Sequence, residues 1–95
     1  MSLLLAGNSI FAQTVTFLVP AQAPETGWTT YLQVTADSEG HLAYEPSAPN
    51  PGYYGMLSFI GWYLSEDANI NDLSQRFVFD PTTVYTTNTT YYAIF

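Results

Sequence analysis

Neither cysteine nor lysine occurs among the 95 residues, and Arg76 is the only strong cation. Without cysteine there is no disulfide framework and no thiolate metal site. Without clustered cations the chain has nothing to set against a phosphate backbone or an anionic membrane surface. Eight carboxylates against that one arginine leave a formal net charge of −7. This disfavours nucleic-acid partners and favours solubility. Charged residues are nonetheless only 9% of the chain. The surface must then be largely Thr, Ser, Asn and Tyr, which fits an extracellular β domain better than a cytosolic enzyme.

What is present in quantity is rings. Aromatic residues make up 17% of the chain, and large rings bury much area per residue. A chain of this length forms one domain with a thin stability margin, so the rings must supply most of the core. The densest run is Ser58-Phe59-Ile60-Gly61-Trp62-Tyr63. Phe, Ile, Trp and Tyr suit a pleated, half-buried surface. A glycine inside such a run marks a bulge or a close approach by another segment. The run reads as a central strand with a kink.

The other segments read as strands that pack on it. Residues 3–13 combine an apolar stretch with Phe11-Ala12 before Gln13. They resemble the end of a secretory signal peptide cleaved after Ala12, although the basic n-region is missing. The other reading is an N-terminal strand or arm, and the apolar part is too short to span a bilayer. Residues 14–95 form the domain proper. Residues 14–19 alternate, with Val15, Phe17 and Val19 on one face, and Pro20 ends the strand. Residues 28–36 read as a second strand. Asp37-Ser38-Glu39-Gly40 is a turn by composition, which predicts a hairpin with residues 41–44. Residues 45–55 hold Pro46, Pro49, Pro51, Gly52 and Gly55, and that density of breakers predicts an extended crossover without helix. Ser65-Glu66-Asp67 offers a cap and early acids for one or two helical turns before residue 75. Residues 76–79 read as a short strand, and residues 89–95 as the closing one.

The second half of this pattern resembles the Listeria–Bacteroides repeat, the B-repeat type of the internalin surface proteins. The matching residues are Gly40, Leu42, Pro46, Pro49, Gly52, Phe59, Gly61, Trp62, Tyr63, Phe79, Asn88, Thr90, Tyr92, Ala93 and Phe95, and residues 14–17 look like the family's first strand. The motif residues are Phe59, Gly61, Trp62 and Tyr63, followed by Tyr92, Ala93 and Phe95. The chain departs from the family pattern in a longer stretch between Gly52 and Phe59, a longer and more acidic loop over 64–75, and a single copy. The resemblance implies an α+β, predominantly β, ubiquitin- or SUMO-like β-grasp with its helix shortened or absent. It also implies an adhesive or spacer module of secreted bacterial proteins with no catalytic residues.

A β-grasp places the first and last strands side by side and parallel. Val15, Phe17, Val19, Tyr91, Ala93 and Phe95 then share the core face. Thr14, Thr16, Leu18, Tyr92 and Ile94 share the other. Leu18, Tyr92 and Ile94 make a candidate interaction face, covered by the N-terminal arm or by another chain. The alternative is that isolated surface apolars need no explanation.

Other chemistry is weakly encoded. Asp67, Asn69 and Asn71 have the spacing that opens a calcium loop, but Asp72 and Val78 stand where that loop needs Gly and Glu. A solvated acidic loop is the preferred reading. Asp37, Glu39 and His41 cluster at a turn; with no second histidine and no cysteine, a solvent-facing turn is preferred to zinc. Ser58 lacks a nucleophile-elbow context. Adjacent Glu66 and Asp67 diverge rather than flank a glycosidic bond. Asn88-Thr89-Thr90 matches a glycosylation acceptor. Trp28, Tyr31, Tyr53 and Tyr54 are a candidate platform for sugar rings, or else caps on the core.

The sequence thus predicts a non-enzymatic secreted or cell-surface bacterial module for adhesion, spacing or protein–protein contact. No cofactor, metal or nucleic acid is implied, and the mature domain does not insert in a membrane. Partners would be a protein, a glycan, or a second copy through the apolar face or arm. A carbohydrate-binding domain is the alternative, and a small hydrolase stands third.

Overall fold

The computed structural model describes residues 13–95. Four strands form one sheet: β1 (Thr14–Pro20), β2 (Trp28–Thr35), β3 (Gly61–Tyr63) and β4 (Thr89–Ile94). Their order across the sheet is β2-β1-β4-β3. β1 pairs antiparallel with β2, and β4 with β3. The two central strands, β1 and β4, run parallel, with Phe17 opposite Tyr91 and Leu18 opposite Tyr92. The chain is thus predominantly β. Among the described residues the only helical turns are two short 3-10 segments, Pro51–Tyr54 and Leu73–Gln75.

One face of the sheet holds the core. Val15, Phe17 and Val19 alternate inward on β1, and Tyr91 and Ala93 do so on β4. The Phe17 ring lies 5.1 Å from Trp62, 5.2 Å from Phe77 and 5.5 Å from Tyr91. Val34 and Leu42 complete this centre, and Tyr31, Tyr54, Phe59, Phe79, Tyr85 and Phe95 pack around its rim. The Tyr91 hydroxyl lies 3.4 Å from that of Tyr85. Burial, reinforced by this contact, pushes its pKa well above the usual tyrosine range.

Several elements differ from the sequence expectation. The aromatic run does not form a central strand. Only Gly61–Tyr63 is strand, and it lies at the sheet edge beyond β4. Gly61 does mark a close approach: a Cβ there would stand 2.9 Å from the Arg76 Nε. Arg76 crosses at this point and donates to the Ile60 carbonyl at 3.0 Å.

Residues 41–44 form no hairpin with β2. The Gly40 carbonyl instead accepts the Tyr85 amide at 2.9 Å, so the chain turns toward residues 84–85, and Leu42 plugs into the core. The proline-rich stretch does hold a helical turn. Pro51 occupies a first-turn position, where a missing N–H costs nothing, and the Asn50 side chain caps the Gly52 amide. Residues 65–75 hold only the 3-10 turn Leu73–Gln75. Residues 76–79 contribute one bridge, Arg76 to Tyr63, rather than a strand.

Gly40 combines a left-handed backbone with close neighbours. Its φ is +87°, and a Cβ would stand 2.9 Å from the Val84 Cγ1 and 3.1 Å from the Tyr85 carbonyl oxygen. Left-handed backbone and steric overlap both penalise a side chain here. Gly40→Ala is expected to lower unfolding free energy by about 2–4 kcal/mol in urea titration. A loss below about 0.5 kcal/mol would show that the 37–40 turn and residues 84–85 are not locked together.

Candidate functional site

The face opposite the core is the first candidate. Partners across neighbouring strands share a face, which places Thr16 and Leu18 from β1 beside Thr90, Tyr92 and Ile94 from β4. The Gln33 amide donates to the Thr16 hydroxyl at 3.0 Å on the same side. Leu18, Tyr92 and Ile94 are all half-buried. Part of their cover comes from the chain itself. The Trp28 ring stands nearly perpendicular to that of Tyr92, 5.1 Å away.

Tyr63 also lies on this face, opposite Tyr92 in register. It is fully buried, and its hydroxyl donates to the Ile70 carbonyl at 2.9 Å. The Leu64 amide reaches the Gln75 carbonyl at 2.9 Å. The 64–75 loop is therefore fastened over Tyr63. Cover by the N-terminal arm falls on residues outside those described.

The four rings proposed as a sugar platform do not assemble. Trp28 and Tyr31 are separated by an odd number of strand positions, which sends them to opposite faces. Tyr31 stands 5.6 Å from Trp62 and Tyr54 stands 5.5 Å from Phe95, so both cap the core. Tyr53 projects from the 3-10 turn, 66% exposed, with Tyr54 at 5.0 Å. Trp28 alone faces the other side. There it lines a hollow of about 330 Å³ with Ala21, Gln22, Glu25, Thr26 and Thr29. Polar side chains in a loop such as 21–27 carry no periodic signal from which the sequence could have located this hollow.

The motif residues lie on both faces of the sheet around β3 and β4. Trp62 and Ala93 are buried in the core, Phe59 and Phe95 pack on its rim, and Gly61, Tyr63 and Tyr92 lie on the opposite face, Gly61 and Tyr63 buried there. Asn88 proves structural: its side-chain oxygen accepts the Thr14 amide at 2.9 Å, joining the starts of β1 and β4.

The polar candidates are occupied locally. One Asp37 oxygen accepts the amides of Glu39 and His41, at 2.9 and 3.0 Å. These bonds, that of His41 foremost, hold its carboxyl below the usual range. Glu39 lies 3.9 Å from the His41 Nδ1. In the acidic loop Asn69 accepts the Asn71 amide, and Asp72 accepts both the amide and hydroxyl of Ser74. Among the described residues no group of three or more His, Cys, Asp or Glu side chains is placed to hold a metal ion. Ser58 and the adjacent Glu66 and Asp67 are exposed.

A second hollow, of about 400 Å³, is lined by Glu45, Leu73, Arg76, Phe77, Val78 and Phe79. Leu73 and Val78 are 69% and 71% exposed there.

Tyr63→Phe removes one hydrogen bond and leaves the ring in place. It should cost about 1 kcal/mol and speed amide exchange across residues 64–75. Exchange unchanged in that loop would contradict the fastening. No family model, no curated protein and no solved structure matches this chain.

Proposed function

We propose that this domain is a non-enzymatic secreted or cell-surface bacterial module for adhesion, spacing or protein–protein contact. The finer reading of its fold is a β-grasp with the helix reduced to 3-10 turns. That reading is supported by the strand order β2-β1-β4-β3 and the parallel pairing of the first and last strands. The Listeria–Bacteroides repeat reading rests on Phe59, Gly61, Trp62, Tyr63, Tyr92, Ala93 and Phe95, of which Phe59, Trp62, Ala93 and Phe95 pack in or on the core.

The observation that carries the contact role is the outer edge of β2. This strand is eight residues long, Trp28-Thr29-Thr30-Tyr31-Leu32-Gln33-Val34-Thr35. It pairs with β1 on one side, and no described backbone group pairs with its other side. Natural edges are usually guarded by lysine, proline or a bulge. β2 has no charge and no proline, and its register shifts once, opposite Phe17 and Leu18. An extended segment of a partner protein can add there by backbone pairing. The Thr-rich outward side chains tolerate many partner sequences, as an adhesive surface requires.

The test is adhesion of beads coated with the domain, to each other and to host-cell surfaces. Gln33→Lys and Thr35→Lys place charge along the edge without touching the core. Both should reduce adhesion about tenfold or more while leaving the unfolding midpoint within a few degrees. Undiminished adhesion by the double variant would overturn edge pairing.

A further inference from the structure

We propose that the hollow beside Trp28 is a binding site for a neutral pyranose sugar. The site is built by one short loop and the strand it feeds. The Ala21 amide donates to the Gly27 carbonyl at 2.9 Å, closing the loop at its base. The Glu25 amide donates to the Gln22 carbonyl at 2.9 Å, folding its tip. Pro20 and Trp28 face each other as the last paired residues of β1 and β2. The loop is thus tied into a fixed shape, which lowers the ordering cost of binding.

The lining has the chemistry of a sugar site. Trp28 meets Tyr92 at an interplanar angle of 79°. A perpendicular contact occupies at most one face of the indole, so at least one is left free of Tyr92. An indole face stacks on the apolar C–H surface of a pyranose. Around it stand Gln22, Glu25 and Thr26, all exposed. They offer a carboxylate acceptor, an amide with donors and an acceptor, and a hydroxyl. None of these three side chains makes a hydrogen bond to another described group. All of that capacity is available to ligand hydroxyls.

Charge selects among sugars. Glu25 lies in the hollow, and the chain carries a net charge of −7. Uronic acids, sulfated sugars and nucleotides are repelled; uncharged rings are not. A volume of about 330 Å³ suits one sugar ring at a time. The affinity expected of one stacked ring is weak, with Kd on the order of 1 mM. Many displayed copies would raise it through avidity.

The test titrates the whole chain with cellobiose, mannobiose, N,N′-diacetylchitobiose and galactobiose, with glucuronate as the charged control. Trp62 is only 5% exposed, so a sugar-dependent change in tryptophan emission reports Trp28. Saturation-transfer NMR on the sugar protons is the second readout. At least one neutral disaccharide should bind, with glucuronate about tenfold weaker or worse. Trp28→Ala should abolish binding. Should that variant fail to fold, Glu25→Gln and Gln22→Ala on the exposed loop decide instead. Each should weaken the neutral sugar, and Glu25→Gln should also narrow the gap to glucuronate. The β2 edge variants should keep sugar binding, so this site and the edge contact fail separately. No binding of any neutral disaccharide at about 50 mM, roughly fifty times the expected Kd, would overturn the proposal. So would binding that neither loop variant alters.

Discussion

Phe17 is the point on which the rest of the structure depends. Its ring contacts those of Trp62, Phe77 and Tyr91, each centroid within 5.5 Å. These three rings come from β3, the segment after the second 3-10 turn, and β4. All three are distant from β1 in sequence. No disulfide ties these segments, since the chain has no cysteine. Aromatic pairs in perpendicular or offset arrangements add to the area they bury. The parallel pairing of β1 with β4 and the ring cluster beneath it are therefore one device: each holds the other in register.

That device determines what is left for the surface. With one face absorbing the rings, the other carries a thinner layer of Leu18, Tyr92, Ile94, Tyr63 and Trp28. The chain covers part of this layer with the 64–75 loop, fastened through Ile70, and part with Trp28. The sheet then ends in β2, whose outer backbone no described residue uses, and in the loop that leads into it. The proposed edge contact and the proposed sugar site both lie at the β2 side of the molecule. The charges are spread around turns, where Asp37, Asp72 and Asp80 cap neighbouring amides.

Much of the core was legible because strand side chains alternate with period two. Val15, Phe17 and Val19 could be assigned to one face from spacing alone, while Tyr91 and Ala93 join it through the β-grasp pairing that the family resemblance implies. Other features depend on contacts that spacing cannot express. Trp62 and Tyr63 are adjacent and both buried, one in the core and one beneath a loop on the far side. Nothing local distinguishes them. The aromatic run looked central because it is the most apolar, yet a three-residue strand with Arg76 crossing its glycine suits an edge. Residues 41–44 looked like a returning strand, but Leu42 and the Gly40–Tyr85 bond draw them under the sheet. For the candidate sites, Trp28 was visible and its neighbours were not. In the sequence it is grouped with Tyr31, although strand parity sends the two to opposite faces; Gln22 and Glu25 emerged only once the loop was closed.

The most direct measurement is the unfolding free energy of Phe17→Ala in urea. Removing a fully enclosed ring from the cluster should cost about 3–5 kcal/mol, a large share of the roughly 5–15 kcal/mol that holds a domain together. The near-ultraviolet signal of the tryptophans should collapse in the same transition. A variant that loses less than about 1 kcal/mol and keeps that signal would contradict the account.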